Sequence, residues 1–118
     1  MEVKATANML GLFSSSYFEK GETVLIIEGL ILQFPTRTTI QIGLNKHIDV
    51  DAPAKFINHS CTPNCEVRSN KLLAVKNIMP GDEITFDYQK SEDKLAFPFE
   101  CKDCGNLIRG KRYKTIDQ

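Results

Sequence analysis

Residues 56–65 read Phe56-Ile57-Asn58-His59-Ser60-Cys61-Thr62-Pro63-Asn64-Cys65 and carry the densest chemistry of this sequence. Amides, an imidazole, hydroxyls and two thiols follow two apolar residues within ten positions. Asn, Ser and Pro are common turn residues, whereas thiols and an imidazole suit a metal site or a catalytic Cys/His pair. From the residues alone, three interpretations stay open: a turn, a metal site and a catalytic pair.

The whole chain has the size and composition of one globular domain. Its 118 residues, 42% hydrophobic and 25% charged, allow a single core. The 15 basic side chains equal the 15 acidic ones, so no overall positive field attracts a nucleic acid backbone. The sequence has neither the apolar stretch of a signal peptide nor the run of about 18 apolar residues that spans a membrane. We therefore expect a cytoplasmic protein that binds neither nucleic acid nor membranes, with four cysteines present as thiols or metal ligands.

Short β-branched runs separated by Gly and Pro predict a mostly β protein. The predicted strands are residues 23–27, 30–34, 38–42, 47–50, 72–75 and 83–86. A tight turn is predicted before the first run, around Gly21, and another at Pro80-Gly81. The second should be of type II, because Pro fixes φ at one central position and Gly accepts a positive φ at the next. Helical periodicity is weak, and residues 91–95 predict a single turn at most.

Three segments, in order, resemble the SET-domain protein-lysine methyltransferases. Residues 56–65 are similar to one family signature, and residues 81–88, Gly-Asp-Glu-Ile-Thr-Phe-Asp-Tyr, are similar to the next. Upstream, Leu-Gly-Leu-Phe at 10–13 and Lys-Gly-Glu at 20–22 resemble the opening hairpins. The resemblance implies a mostly β fold of several small sheets with a C-terminal pseudoknot. It also implies a SET domain over residues 1–96 and a post-SET-like tail over residues 97–118.

The same resemblance implies an enzyme with two clefts joined by a narrow channel. S-adenosylmethionine would bind in one cleft as cofactor, and a lysine-bearing protein or peptide would bind in the other as substrate. Tyr88 matches the catalytic tyrosine, whose hydroxyl orients the reacting amine. Phe99 resembles the tail aromatic that closes over cofactor and channel. The cofactor-binding positions implied are Leu10, Gly11, Asn58, His59, Tyr88 and Phe99.

On the substrate side, the resemblance implies a peptide that adds as a strand beside residues 38–43. Ile40 and Gln41 would contact its side chains, and Phe86 would line the lysine channel. Phenylalanine rather than tyrosine at this last position implies di- or trimethylation. Met9 departs from the family's usual Gly-x-Gly, and Ile27 replaces a channel aromatic. These departures support an alternative hypothesis, a SET-like module that binds peptide or cofactor without catalysis.

The tail segment Cys101-Lys102-Asp103-Cys104 resembles the family's post-SET zinc site. Cys61, Cys101 and Cys104 match three of the four cysteine ligands, and Ile108 stands where the fourth is expected. Structural zinc takes four ligands, so three outcomes stay open. The site could be completed by Cys65 or water, the tail could be metal-free and held by Phe99 and Leu107, or it could be partly ordered.

Two further questions stay open from the sequence. A small zinc-ribbon-like interaction domain is a third functional hypothesis, although one Cys-x-x-Cys without a second pair supports it thinly. A small sheet assembly is also compatible with either a monomer or a homodimer.

Overall fold

The computed structural model describes residues 1–6 and 9–111, which form twelve short strands and one α-helical turn. The strands are β1 (Glu2–Ala5), β2 (Leu10–Phe13), β3 (Thr23–Ile26), β4 (Gly29–Leu32), β5 (Thr39–Gly43), β6 (Lys46–Val50), β7 (Asn58–His59), β8 (Cys65–Arg68), β9 (Lys71–Ala74), β10 (Thr85–Phe86), β11 (Phe99–Glu100) and β12 (Leu107–Ile108). The helical turn is α1 (Tyr88–Ser91), and a 3₁₀ turn lies at Ala54–Phe56. The mostly β class predicted from the sequence is confirmed.

The strands pair into five small sheets. Two sheets have three strands, in the orders β3-β9-β8 and β4-β6-β5. The antiparallel pairs β1-β2 and β11-β12 and the parallel pair β7-β10 complete the set. Two-residue connections join β5 to β6 and β8 to β9, with Asn45 and Ser69 at positive φ. No helix in the described part of the chain is long and apolar enough to cross a membrane.

The predicted strands are present with shifted ends, whereas the predicted helical turn is misplaced. Each of the six predicted runs overlaps a strand, although residues 83–84 lie outside β10. The helix prediction at residues 91–95 is wrong. The turn begins earlier because the Asp87 carboxylate accepts a hydrogen bond from the Gln89 N–H at 2.9 Å and caps it. At Glu92 the backbone is already extended, which ends the turn.

Two turns of the same design lead into β3 and toward β10. Gly21 and Gly81 have φ values of +94° and +93°. The N–H of the residue after each glycine donates to the carbonyl three positions back, at 3.0 Å in both cases. These features confirm the type II turn predicted at Pro80-Gly81.

The core lies between the sheets, and the parallel pair β7-β10 crosses it. The largest fully buried side chains are Leu12, Ile27, Ile57, Leu72, Ile78, Ile84 and Cys65. Next to this core, Asn64 fastens its loop to the segment entering β10. Its Nδ2 donates to the Glu83 carbonyl at 2.7 Å, and its Oδ1 accepts from the Thr85 N–H at 3.0 Å. These two bonds join the Asn64 loop to the β10 segment, and the pseudoknot stays a prediction.

Candidate active site

Two cavities lie on either side of Tyr88 and Phe99. The first, named here the Ile40 cavity, has a volume of about 440 Å³. Its lining includes Ile40, Phe86, Tyr88, Glu92, Phe97 and Phe99. The second, named here the His59 cavity, has a volume of about 450 Å³. Its lining includes Met9, Asn58, His59, Tyr88, Phe99 and Asp103. Both volumes are in the range of small-molecule sites.

The wall between the cavities is aromatic. The Tyr88 ring lies 4.8 Å from that of Phe86, 5.4 Å from that of His59 and 5.9 Å from that of Phe99, measured between centroids. His59 and Phe99 also meet edge to face at 5.6 Å. Such contacts are favourable beyond the apolar area they bury. The wall therefore holds Tyr88 in place from both sides.

Tyr88 is fixed by hydrogen bonds at both ends of the residue. Its hydroxyl donates to the Ile57 carbonyl, and its N–H donates to His59 Nδ1 at 3.0 Å. Burial raises the pKa of this hydroxyl, and the carboxylates of Glu92 and Glu83 raise it further. The hydroxyl is therefore neutral over the physiological range, and its oxygen keeps lone pairs for a second partner.

His59 presents a buried N–H to the His59 cavity. Burial lowers the pKa of this imidazole, although Asp87 and Asp103 oppose the shift. In the neutral ring Nδ1 accepts the Tyr88 N–H, so the proton resides on Nε2. Nε2 is buried and has no hydrogen-bond partner among the described residues. A buried donor of this kind needs an acceptor, and a ligand in the cavity can supply one.

Asn58 and Gly11 shape the floor beside this cavity. Asn58 Nδ2 donates at 2.9 Å to both the Leu10 carbonyl and Glu83 Oε2. A Cβ at Gly11 would lie 2.6 Å from Glu83 Oε2, so only glycine fits there without movement. Leu10 itself has an exposed side chain and acts through its carbonyl. Met9, the residue that departs from the family pattern, lines the cavity instead.

The tail brings three of the four cysteines together. One sulfur each from Cys61, Cys101 and Cys104 lies within 4.8 Å of the other two. The hydrogen bond with Cys104 raises the pKa of the Cys61 thiol, while a hydrogen bond from the Asn106 backbone lowers that of Cys104. Thiolates 2.3 Å from a tetrahedral zinc lie about 3.8 Å apart, so small side-chain movements would fit this set to the metal.

Cys65, considered above as a fourth ligand, lies elsewhere. Its side chain is 1% exposed within the hydrophobic core, and burial raises its pKa to about 12. The completion of the site by Cys65 is therefore wrong. Leu107 does not hold the tail either, because it is 53% exposed, and Ile108 is the buried residue of this strand.

Two of the residues assigned to the substrate channel lie away from the cavities. Gln41 is buried, and its side chain bonds Asp93 at two points and the Gly43 carbonyl at a third. Its assignment to the channel is corrected because these bonds hold its side chain elsewhere, and Gln41 is absent from the lining of the cavity that Ile40 joins. Ile27 packs in the core and lines neither cavity. Its aliphatic side chain thus leaves the aromatic wall intact.

Three side chains that matter to this site were not found by sequence reasoning. Asn64 was only part of a quoted signature, and Glu92 was one of several charged residues after Tyr88. Gln89 holds the tail: its Oε1 accepts from the N–H groups of Arg109 and Gly110 at 2.8 and 2.9 Å, and its Nε2 donates back to the Gly110 carbonyl. The sequence signal for Gln89 was a polar residue directly after the aromatic Tyr88. This pattern is too common to predict a role in holding the tail.

These observations define the class of protein: a set of small β-sheets and two cavities that meet at a half-buried tyrosine. The SET domain family model matches residues 9–89. The chain belongs to the SET domain family.

Relatives with curated names include several methyltransferases. The H3 lysine-4 specific histone-lysine N-methyltransferase of Schizosaccharomyces pombe is 29% identical, over 78% of this chain and 13% of that protein. Methyltransferase flvH of Aspergillus flavus is 29% identical, over 65% of this chain and 48% of its own. Histone-lysine N-methyltransferase Set2 of Drosophila melanogaster is 46% identical, over 49% of this chain and 3% of its own. The chain thus spans less than half the length of these relatives.

A solved structure supports the fold independently. A Plasmodium falciparum protein named as a histone methyltransferase superimposes with a TM-score of 0.59 at 22% identity. The match covers 74% of this chain and 94% of the solved one. At this identity the likeness establishes the shared fold.

Proposed function

We propose that this protein is an S-adenosylmethionine-dependent lysine N-methyltransferase acting on a protein or peptide substrate. The observation that carries the proposal is the position of Tyr88 and Phe99, which line both the Ile40 cavity and the His59 cavity. A reaction between two separately bound molecules needs such a shared wall, because alignment of the reacting atoms supplies much of the rate.

The His59 cavity suits the cofactor. S-adenosylmethionine supplies an electrophilic methyl group when bound. The buried Nε2–H of His59 offers a hydrogen bond to an acceptor on the adenosine or methionine part, and Asn58 and Phe99 line the same space. Gly11 supports this side of the site by leaving room for the hydrogen-bonded pair Asn58 and Glu83.

The Ile40 cavity suits the target lysine. Its aromatic residues Phe86, Phe97 and Phe99 fit a lysine stem, which prefers apolar surfaces along its methylene groups. The Tyr88 hydroxyl oxygen orients the amine by accepting a hydrogen bond from it. Phe86 brings no hydroxyl to this space, so a methylated amine has room to rotate. We infer that di- and trimethyllysine are products.

The cysteine cluster suits a structural zinc ion with Cys61, Cys101 and Cys104 as ligands and water in the fourth position. The ion would fasten the tail next to Phe99 to the loop that follows β7 and carries Cys61. Elemental analysis of protein purified without chelator measures the zinc content. Cys104→Ser should lower that content strongly and Cys65→Ala should not; equal content in both variants would contradict this ligand set.

Methyl transfer is tested directly with a defined probe. Several relatives are named as histone methyltransferases, so the first probe is a peptide of the histone H3 N-terminal tail, followed by whole-cell lysate. We expect mass increments in steps of one methyl group on lysine. Calorimetry should show S-adenosylmethionine binding at one site per chain. Cofactor binding without transfer to either probe would favour the alternative, a module that binds without catalysis.

A further inference from the structure

Glu92 is a buried carboxylate beside the aromatic wall. Its side chain is 3% exposed, and it lines the Ile40 cavity together with Tyr88 and Phe86. It lies one helical turn beyond Tyr88, and its N–H donates to the Tyr88 carbonyl at 3.0 Å. A glutamate is rarely buried to this degree unless it is paired. We therefore expect a partner that would stabilise this carboxylate in the cavity.

The protein satisfies only one of the two carboxylate oxygens. Oε2 accepts the Gln41 N–H at 2.8 Å and lies 3.4 Å from the Ser91 hydroxyl. Within the described residues, the hydrogen bonds of the Glu92 side chain all end on this oxygen. No ion pair within the described part of the chain reaches Glu92; the nearby Lys111 pairs with Asp93 at 3.4 Å. Oε1 is thus left for a partner in the cavity.

The charges around Glu92 leave it able to exchange a proton near neutral pH. Burial raises its pKa to about 7, with Asp93 adding to the shift and the Gln41 N–H, Ser91 and Lys111 opposing it. Behind Gln41, burial lowers the pKa of the His47 imidazole, and the charge of Asp93 opposes this shift. The remaining charged groups that face the cavity are Arg37 and Lys55.

A lysine needs such a partner before it can accept a methyl group. The ε-ammonium has no lone pair, and with a reference pKa of about 10.4 only about one lysine in a thousand is neutral near pH 7.4. Tyr88 cannot take this proton, because its hydroxyl is itself protonated and donates to the Ile57 carbonyl. Glu92 is the carboxylate that lines the same cavity.

Building on the proposed function, we propose that Glu92 binds the target lysine ammonium in the Ile40 cavity and accepts its proton. One N–H bond of the ammonium breaks and an O–H bond forms on Glu92 Oε1, which leaves a neutral amine and a neutral carboxylic acid. The amine lone pair then forms the new N–C bond, and the sulfonium sulfur keeps the electron pair of the C–S bond that breaks. Glu92 loses its proton to water through the open side of the cavity before the next round.

The decisive variant is Glu92→Gln, which keeps an oxygen acceptor for the Gln41 N–H and removes the basic group. With H3 tail peptide and saturating S-adenosylmethionine, the wild-type kcat should rise through about pH 7 as Glu92 ionises. The variant should lose about 100-fold at pH 7. Its deficit should shrink toward pH 10, where solution deprotonates the lysine. A purely structural role would lower the rate by a similar factor at every pH.

Two further variants separate basicity from packing. Glu92→Asp keeps a carboxylate and should retain the wild-type shape of the pH profile at a lower rate. Asp93→Asn removes the neighbouring charge that bonds Gln41 outside the cavity and helps raise the Glu92 pKa, so it should lower the melting temperature and move the rising limb to lower pH without abolishing it. A constant Glu92→Gln deficit between pH 7 and 10, or a profile of Glu92→Asp like that of Glu92→Gln, overturns the inference alone. Absence of turnover in the wild type overturns the proposed function with it.

Discussion

The variant Tyr88→Phe, which lacks only the hydroxyl oxygen, should bind the cofactor normally but turn over the substrate slowly. The hydroxyl donates to the carbonyl of Ile57, a residue at the centre of the core. Without it, that buried carbonyl loses its partner at a cost of about 1–3 kcal/mol of folding free energy. The aromatic wall stays, because the ring keeps its contacts with Phe86, His59 and Phe99.

The effect on rate should be larger than the effect on stability. An oriented polar contact to the reacting centre is typically worth about 2.7–4 kcal/mol in the transition state, which corresponds to a kcat lower by about 10²–10³-fold. Cofactor binding should change little, since the N–H of Tyr88 to His59 is a backbone contact that survives. A loss confined to kcat identifies an interaction made in the transition state.

The assay combines three measurements on each variant. Mass spectrometry gives kcat on the H3 tail peptide, calorimetry gives the cofactor Kd, and urea denaturation gives the free energy of unfolding. The matched control is Tyr17→Phe, because Tyr17 is exposed and lines neither cavity; it should change none of the three. A kcat of Tyr88→Phe within threefold of the wild type, in folded protein, would refute the role given to the hydroxyl.

Three other substitutions test Phe86 in the lysine channel, Asn64 in its loop and the buried carboxylate of Glu92. Phe86→Tyr should shift products toward monomethyllysine at matched total turnover, and an unchanged mono-to-trimethyl ratio in mass spectra would show that Phe86 only packs. Asn64→Ala strands the Glu83 carbonyl and the Thr85 N–H, so urea denaturation should show a loss of about 2–5 kcal/mol; a loss under 1 kcal/mol would contradict its clasping role. Glu92 has a pKa raised from 4.5 to about 7, so its neutral form stabilises the fold below pH 4.5 and this contribution is lost as pH rises through 7. Relative to the wild type, Glu92→Gln should therefore gain up to about 3 kcal/mol in unfolding free energy between pH 4.5 and 8; a pH-independent difference would show that the carboxyl is not perturbed.

The strands were predictable where apolar and β-branched residues alternate with a turn at each end. β6 is an example, because its buried residues and its neighbouring Asn45 turn both leave a signal in the sequence. β1 leaves none, since all four of its residues are exposed and its pairing with β2 supplies the only order. The two-residue strands β7 and β10 pair residues that are 27 positions apart in the chain, and the amino-acid composition does not indicate such a contact.

The site was predictable only as far as the family resemblance reached. Tyr88 and Phe99 lie together as expected, although Tyr88 belongs to a helical turn and not to the strand that carries Phe86. Their rings lie 5.9 Å apart, and the cap at Asp87 that starts this helical turn was not predicted from the sequence. Gln41 was misassigned for the opposite reason: the two-residue period of β5 was available in the sequence and should have separated it from Ile40.

Glu92 could not be recognised from the sequence, but the hydrogen bonds around it explain why it is buried in the Ile40 cavity. The Gln89 side chain bonds residues 109–110, and the Gln41 side chain bonds Asp93. The segment from Gln89 to Asp93 is therefore held at both ends by side-chain amides. Glu92 lies inside this bracket, and its backbone is hydrogen-bonded on both sides, to Tyr88 and to Lys111. A segment fastened this firmly can keep a carboxylate out of water, where it would otherwise turn to solvent and recover its ordinary pKa. The raised pKa of Glu92 therefore depends on the amide side chains that hold this segment. Gln89→Ala should loosen the segment and return the Glu92 pKa toward 4.5. The rising limb of the pH profile of kcat should then move to lower pH.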